Sequence, residues 1–298
     1  MTDAHAVNPG WTLKQTRLRD YLALTKPEVT SLVVLSALAG FYLGSRGAPD
    51  LALLVHTLIG IGLVSAGTAA FNQFWEREDD GKMRRTARRP LPAGRLRPQS
   101  ALRFAALLTL AGVLYLGFAV NLLTSFLAFI TWASYLFLYT PLKKKTVLCT
   151  AVGAFPGAMP PLIGWAAARN GLSAEAWVLY AILFMWQFPH FLSIAWIYRQ
   201  DYARARIRML PVVDPSGSAT GRQMVFYSLA LLPLGAFPSL LGMAGTLYFW
   251  GALLLGMAFL QFAVRAALRP SNLHARRLLH ASVIYLPLLF ALLMLDKQ

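Results

Sequence analysis

Nine stretches of this chain are apolar for about the length a helix needs to cross a bilayer, roughly 20 residues. They run over 28–45, 51–75, 100–119, 122–141, 147–168, 175–198, 223–243, 246–265 and 278–295. A soluble domain could not bury so many such runs. The chain is 57% hydrophobic and only 13% charged, where a soluble domain carries about 25% charged residues. These runs predict an all-α integral membrane protein of about nine transmembrane helices around a central cavity. The fifth run differs from the rest because it holds Pro156, Pro160 and Pro161 among Gly153, Gly157 and Gly164. Proline breaks the backbone ladder, and freed backbone groups at membrane depth need protein partners. That run is therefore expected as a kinked helix buried in protein.

The charges sort by connection. With the N-terminus placed in the cytoplasm and the runs alternating, 25 of the 28 Lys and Arg residues fall inside, and only Arg46, Arg169 and Lys297 fall outside. The positive-inside rule thus gives a one-sided orientation. The net charge of +16 is gathered in short inter-helical clusters rather than along a soluble face, which excludes a nucleic-acid partner. Cys149 is the single cysteine, so no intrachain disulfide forms. The first run follows Lys14, Arg17, Arg19 and Lys26 without a small-residue cleavage signature, and reads as a retained span. The expected organisation is a cytoplasmic segment 1–24 and one membrane domain 25–298. Long cytoplasmic loops at 76–99 and 199–222 would cap that domain. Each loop passes an acid, then arginines, then a Leu-Pro step (Leu91-Pro92 and Leu210-Pro211), a faint repeat of roughly 120 residues that suggests two four-helix units plus one span.

The first loop reads NQFWEREDDGKMRRTARRPLPAG from Asn72. Asn72, Glu76 and Asp80 are spaced i, i+4, i+8 and share one helical face. Stacked carboxylates repel, and a hard cation relieves that repulsion; magnesium is held by one or two carboxylates with phosphate oxygens and water. Lys82, Arg84, Arg85, Arg88 and Arg89 follow, and guanidinium groups bind phosphate in a bidentate fork. Acids for a metal beside arginines for phosphate, at a membrane surface, point to a diphosphate with a lipid tail, such as a polyprenyl diphosphate. The plainer reading of the arginines is topology and contact with anionic lipid. Glu78 and Asp79 point off that face and read as solvated.

Five segments then carry a family resemblance: FN-x3-E-x3-D with KMRRTARRPLPAG, YTPLKKKT at 139–146, GAMPPLIGW at 157–165, WQFPHF at 186–191 and DYARARIRMLPVV at 201–213. In order and in matching loops, they resemble the protoheme IX farnesyltransferases (heme O synthases) of the UbiA-type intramembrane prenyltransferases. The resemblance covers most of the chain from Thr25-Lys26-Pro27. It implies Mg2+-dependent transfer of the farnesyl group of farnesyl diphosphate to a vinyl group of heme b, with addition of water, giving heme O and diphosphate for a terminal oxidase. Heme b is then a substrate, and oxidase assembly proteins are implied partners. The enzyme would sit in the inner (plasma) membrane with its site facing the cytoplasm.

Residue by residue, the resemblance implies Asn72, Glu76 and Asp80 as the metal motif, with Glu76 where Asp is common. It implies Lys82, Arg85, Thr86, Arg89, Lys143 and Lys144 on the diphosphate side. Asp201 and Tyr202 fall in the second cytoplasmic motif, where Gln200 replaces one of the paired acids common in the superfamily. Trp186, Gln187 and His190 would serve the heme. An intramembrane ionisable residue is a functional hypothesis by default, and imidazole is a common haem ligand; the structural alternative for His190 is a hydrogen bond to a neighbouring helix.

Three other functions compete. A prenyltransferase acting on an aromatic or quinone precursor would share the first loop but not WQFPHF. A transporter would place its ionisable groups near the midplane, whereas these acids cluster at one end. A non-catalytic heme carrier would leave the metal and diphosphate residues unexplained.

Overall fold

The computed structural model describes residues 9–298, with side chains from Arg17 onward; the first eight positions of the expected N-terminal segment lie outside the described residues. The described residues are mostly helical. In order the helices are α1 (Pro9–Leu24), α2 (Pro27–Gly44), α3 (Leu51–Trp75), α4 (Arg77–Asp80), α5 (Pro98–Ala119), α6 (Leu122–Ala133), α7 (Thr140–Leu142), α8 (Cys149–Gly157), α9 (Met159–Arg169), α10 (Ala174–Ile197), α11 (Arg199–Arg204), α12 (Leu210–Val213), α13 (Ser218–Leu240), α14 (Thr246–Leu268) and α15 (Asn272–Leu295). A π-helical turn, Ser134–Tyr139, joins α6 to α7.

Among the described residues, eight helical stretches are long and apolar enough to cross a membrane: α2, α3, α5, α6 through α7, α10, α13, α14 and α15. The fifth expected run is instead two short helices, α8 and α9, broken at Ala158. The cause is local. Pro156 removes a ladder donor, and Pro160 and Pro161 sit in the first turn of a new helix, where a missing N–H costs nothing. α9 is buried from Met159 to Ala167, so it is walled by protein rather than lipid, as a broken helix must be.

Side chains set several helix starts. Asp50 accepts from the Leu53 N–H at 3.0 Å, and Asn121 from the Thr124 N–H at 2.8 Å. Asn121 also donates through Nδ2 to Ala166 O at 3.1 Å, tying the start of α6 to the end of α9. α3 packs mainly on α5 and α2 on α9, while α10, α13, α14 and α15 form a second group. Glycines make the closest crossings. A Cβ on Gly40 would run into the carbonyl of Pro161, and one on Gly164 into the carbonyl of Ala37. With lipid tails as apolar as leucine, such small-residue contacts are what let helix backbones approach. Large apolar side chains such as Phe118, Leu122, Phe226 and Trp250 face outward, as a lipid-facing surface requires.

The charged connections gather at one end of the bundle. Arg95 pairs with Asp20, Arg84 N reaches Asp201, Arg208 N donates to Lys143 O, and Arg199 reaches Asn272. The opposite end is closed by the C-terminus, where Lys297 Nζ donates to the carbonyls of Tyr42 and Ser45 at 2.7 Å each. A lysine on the last carbonyls of α2 also complements that helix's dipole.

Candidate active site

At the charged end, a cavity of about 230 Å³ opens between the start of α2, the end of α3 and the loops 82–97 and 199–209. The helical ladder runs on past α3, because Glu76 N donates to Asn72 O at 2.9 Å and Asp80 N to Glu76 O at 2.8 Å. The i, i+4, i+8 spacing therefore holds in space, and Asn72, Glu76 and Asp80 all line the cavity. Each faces a cation. Lys26 Nζ donates to Asn72 Oδ1 at 3.0 Å, Lys143 Nζ to Glu76 Oε1 at 2.6 Å, and Arg89 Nη1 to Asp80 Oδ2 at 2.7 Å. Asp80 is 1% exposed, and its own carbonyl accepts from Thr86 Oγ1 at 2.8 Å. That bond folds the arginine loop back over the acid.

Burial alone would raise the Glu76 carboxyl, but the Lys143 ammonium, with help from Lys26, holds it below its ordinary range. Burial would likewise lower Lys143, yet Glu76 and the phenols of Tyr139 and Tyr135 keep it charged well above the usual lysine value. Lys26 goes the other way, pushed down to about 7 by burial and then by the positive charges of Arg89 and Lys143. Four cationic side chains, Lys26, Arg85, Arg89 and Lys143, line the cavity against two carboxylates, Glu76 and Asp80. The surplus is positive, so the cavity is built for an anion.

The π-helical turn supplies the phenols. Pro141 has no N–H to give Phe137, and Thr140 instead reaches back five residues to Tyr135 O through both its N–H and its hydroxyl, the latter at 2.9 Å. Such single π turns re-aim side chains; here Tyr135 and Tyr139 both line the cavity, joined from α11 by Tyr202. Val29, Met83, Ile207 and Met209 form its apolar side.

The donor set suits magnesium: two carboxylates one helical turn apart, open to the same space as an excess of phosphate-binding cations, match a metal held by protein oxygens, water and phosphate. Glu76 and Asp80 are the residues that would hold it.

The expected site residues do not all converge. Arg85, Arg89 and Lys143 line the cavity, whereas Lys82 and Lys144 do not; both are exposed and pair with the buried Asp79, at 3.4 and 2.6 Å. Asp201 is buried but lines no part of the cavity. Its carboxylate accepts from the Arg84 and Arg85 N–H groups at 3.4 and 3.3 Å and from the Arg204 guanidinium. It latches one cytoplasmic loop to the other. Asp201→Ala is expected to speed tryptic cleavage after Arg84 and Arg85 several-fold in limited proteolysis of the detergent-solubilised protein, since two backbone donors lose their acceptor. Cleavage at the wild-type rate would show that the latch carries no weight.

Trp186 and His190 lie apart from the cavity, between α10 and α15. Their rings stack at 4.7 Å, and both engage Ser282: Trp186 Nε1 donates to its carbonyl at 2.9 Å and His190 Nδ1 meets its hydroxyl at 2.8 Å. The Ser282 hydroxyl proton is already given to Leu279 O at 2.6 Å. The network therefore assigns the proton to His190 Nδ1 and leaves the lone pair on Nε2. Gln187 faces the other way, donating to Ala154 O at 3.1 Å beside the α8–α9 break, where it satisfies backbone.

Sequence reasoning passed over Lys26, Tyr135 and Met83 as site residues. Lys26 carried a signal, since it is the last charge before the first span. Tyr135 carried none, because its aim depends on the π turn.

A family model described as the UbiA prenyltransferase family matches residues 33–291. The chain belongs to the UbiA prenyltransferase family. Its relatives include proteins named protoheme IX farnesyltransferase from Solibacter usitatus, 54% identical over 94% of this chain and 99% of the relative, and from Koribacter versatilis, 51% identical over 94% of each. A third, from Bordetella avium, is 41% identical over 99% of this chain and 97% of its own. The fold matches a solved digeranylgeranylglyceryl phosphate synthase with a TM-score of 0.78 at 17% identity, over 94% of this chain and 98% of that one. It also matches a UbiA homolog from Archaeoglobus fulgidus bound to GPP and Mg2+, with a TM-score of 0.63 at 15% identity over 92% and 99% of the two chains. This UbiA-family chain is therefore a prenyltransferase by family and an integral membrane protein by fold.

Proposed function

We propose that the chain transfers the farnesyl group of farnesyl diphosphate to a vinyl group of heme b, giving heme O and diphosphate. The observation that carries this reading is the identity of about half of all residues, over nearly full length, to proteins named protoheme IX farnesyltransferase. The cavity supports it, with its excess of cations over two carboxylates at the end of apolar helices. Arg85, Arg89 and Lys143 bind the diphosphate, and Glu76 and Asp80 hold Mg2+, which supplies charge neutralisation for the leaving group. The C–O bond to diphosphate breaks with its electron pair leaving on the diphosphate. The farnesyl carbon bonds the terminal vinyl carbon, and water adds to the inner one, losing a proton. Val29, Met83, Ile207 and Met209 shield the allylic cation from water, and Tyr135 and Tyr139 offer it aromatic faces. His190, with the Nε2 lone pair exposed by its bond to Ser282, meets the heme from the α10–α15 side. The orientation follows the basic end, which faces the cytoplasm of the cell inner membrane, and the product passes to terminal oxidase assembly.

The test is mass spectrometry of hemes extracted after incubating the purified protein with heme b, farnesyl diphosphate and Mg2+. The expected product is heme b plus a farnesyl group and water, formed only with Mg2+. His190→Ala is expected to cut its yield at least about tenfold. Folded protein that yields no modified heme overturns the assignment, and prenylation of an aromatic acceptor is then the reading to test.

A further inference from the structure

Ser282, on α15, is fully buried beside His190 of α10. Its hydroxyl meets His190 Nδ1 at 2.8 Å and donates to Leu279 O at 2.6 Å. A hydroxyl has one proton, so toward the imidazole it accepts, and the network places the ring proton on Nδ1. Among the described residues the imidazole makes its hydrogen bond through Nδ1 alone, and Nε2 is left bare. Two further contacts fix the ring. Trp186, one turn earlier on α10, stacks on it at 4.7 Å with the planes 23° apart. The same tryptophan donates Nε1 to the Ser282 carbonyl at 2.9 Å. The two helices are pinned at this height, which holds the Ser282 hydroxyl level with the imidazole.

A neutral imidazole bonded at Nδ1–H and bare at Nε2 has an electron pair to give and no second proton to offer. It is therefore poorly matched to a propionate, which needs a donor. It is well matched to a metal. A ligating histidine gives its other N–H to a fixed acceptor, and that bond sets the tautomer, aims the ring and raises its basicity.

We propose that Ser282 is a positioning residue for His190, and that the pair recognises the porphyrin acceptor through its metal, with Nε2 as the ligand. The proposal rests on the heme reading above and adds to it a residue, Ser282, and a substrate rule. The acceptor must be a porphyrin whose metal takes an imidazole. The metal-free ring carries the same vinyl groups, the same propionates and the same apolar area, yet it lacks the atom that the site reads. Because the vinyl groups lie in the ring plane, the bond from Nε2 to the metal also sets their depth along α10.

The test is optical titration of the full detergent-solubilised chain with heme b and, separately, with metal-free protoporphyrin IX. Wild type is expected to bind heme b with the spectrum of an imidazole-ligated iron, and to bind the metal-free ring at least about tenfold more weakly. Ser282→Ala keeps the helix and the carbonyl that Trp186 uses, and removes only the acceptor for Nδ1–H. It is expected to weaken heme b by about tenfold or more and to alter the ligated spectrum, while affinity for the metal-free ring stays within about twofold. His190→Ala is expected to abolish the ligated spectrum. A merely structural Ser282 gives equal losses for both porphyrins in Ser282→Ala, and that result overturns the positioning role. Equal wild-type affinity for the two porphyrins, or an unchanged ligated spectrum in His190→Ala, overturns recognition through the metal; heme O formation by the same preparation then leaves the heme reading standing. If wild type neither binds heme b nor forms heme O, both readings fall.

Discussion

Asp80→Asn is expected to lower the rate of heme O formation by about 10²–10³-fold, with the fold intact. The substitution keeps the size of the side chain and an oxygen for Arg89, which now donates to Oδ2 at 2.7 Å. It also keeps the Thr86 bond, which uses the backbone carbonyl. What it removes is charge, at a position 1% exposed and facing the cavity, where electrostatic groups aimed at the leaving diphosphate are worth most. The neighbouring acid is the control. Asp79 lines no part of the cavity and is covered by Lys82 and Lys144, so Asp79→Asn removes a buried charge that is not aimed at the leaving group and is expected to keep the rate within about threefold. A Mg2+ titration of product formation, read by mass spectrometry of extracted heme, separates the causes. A metal role for Asp80 shifts the Mg2+ midpoint upward, whereas loss of Arg89 placement lowers the rate at an unchanged midpoint. Wild-type rate and midpoint in Asp80→Asn would remove the acid from the reaction altogether.

The contrast between Asp79 and Asp80 also shows how far the sequence could be read. Helical periodicity placed Asp80 on the cavity face and Asp79 off it, because it extends from α3 through Glu76 without interruption; the expectation that Asp79 is solvated fails, since it is buried beneath Lys82 and Lys144. The apolar runs gave the helices for the same reason: their length is a one-dimensional property. Lys82 and Lys144 could not be sorted from Arg85 and Lys143 in this way. They occupy loops, where side-chain direction follows from Thr86 folding back onto Asp80 and from Arg208 N bonding Lys143 O, the first a return within one loop and the second a contact between two. Asp201 looked like a second acid for the site; its partners are backbone N–H groups of the other loop, which no spacing rule encodes. The prolines of the fifth run foretold a kink buried in protein, and the helix is interrupted at one residue, Ala158, where three prolines and the tight approach of α2 act together.

That approach leads to the largest expected effect on stability. Gly164→Val is expected to prevent folding, or to lower stability by about 3 kcal/mol or more, seen as loss of monodisperse protein and of the thermal unfolding midpoint in detergent. A Cβ on Gly164 would collide with the Ala37 carbonyl and the backbone of Phe41. Neither can retreat, because both belong to the α2 ladder, and on the reciprocal side Gly40 meets the Pro161 carbonyl in α9. Backbone yields far less readily than a side chain, so the helices would have to separate. Separation would expose the break at Ala158, where the prolines leave backbone groups without ladder donors, and an unsatisfied backbone group at membrane depth costs several kcal/mol. Gly62→Ala tests whether the effect belongs to the crossing or to glycine in a span as such. Its Cβ would meet only Val34 Cγ2 at 3.7 Å, an ordinary contact, and the change is expected to be neutral or stabilising within about 1 kcal/mol. Equal loss at both positions would mean that the close contact of α2 with α9 is not what holds the broken helix in place. Loss at Gly164 alone would tie the α8–α9 span to its backbone contact with α2.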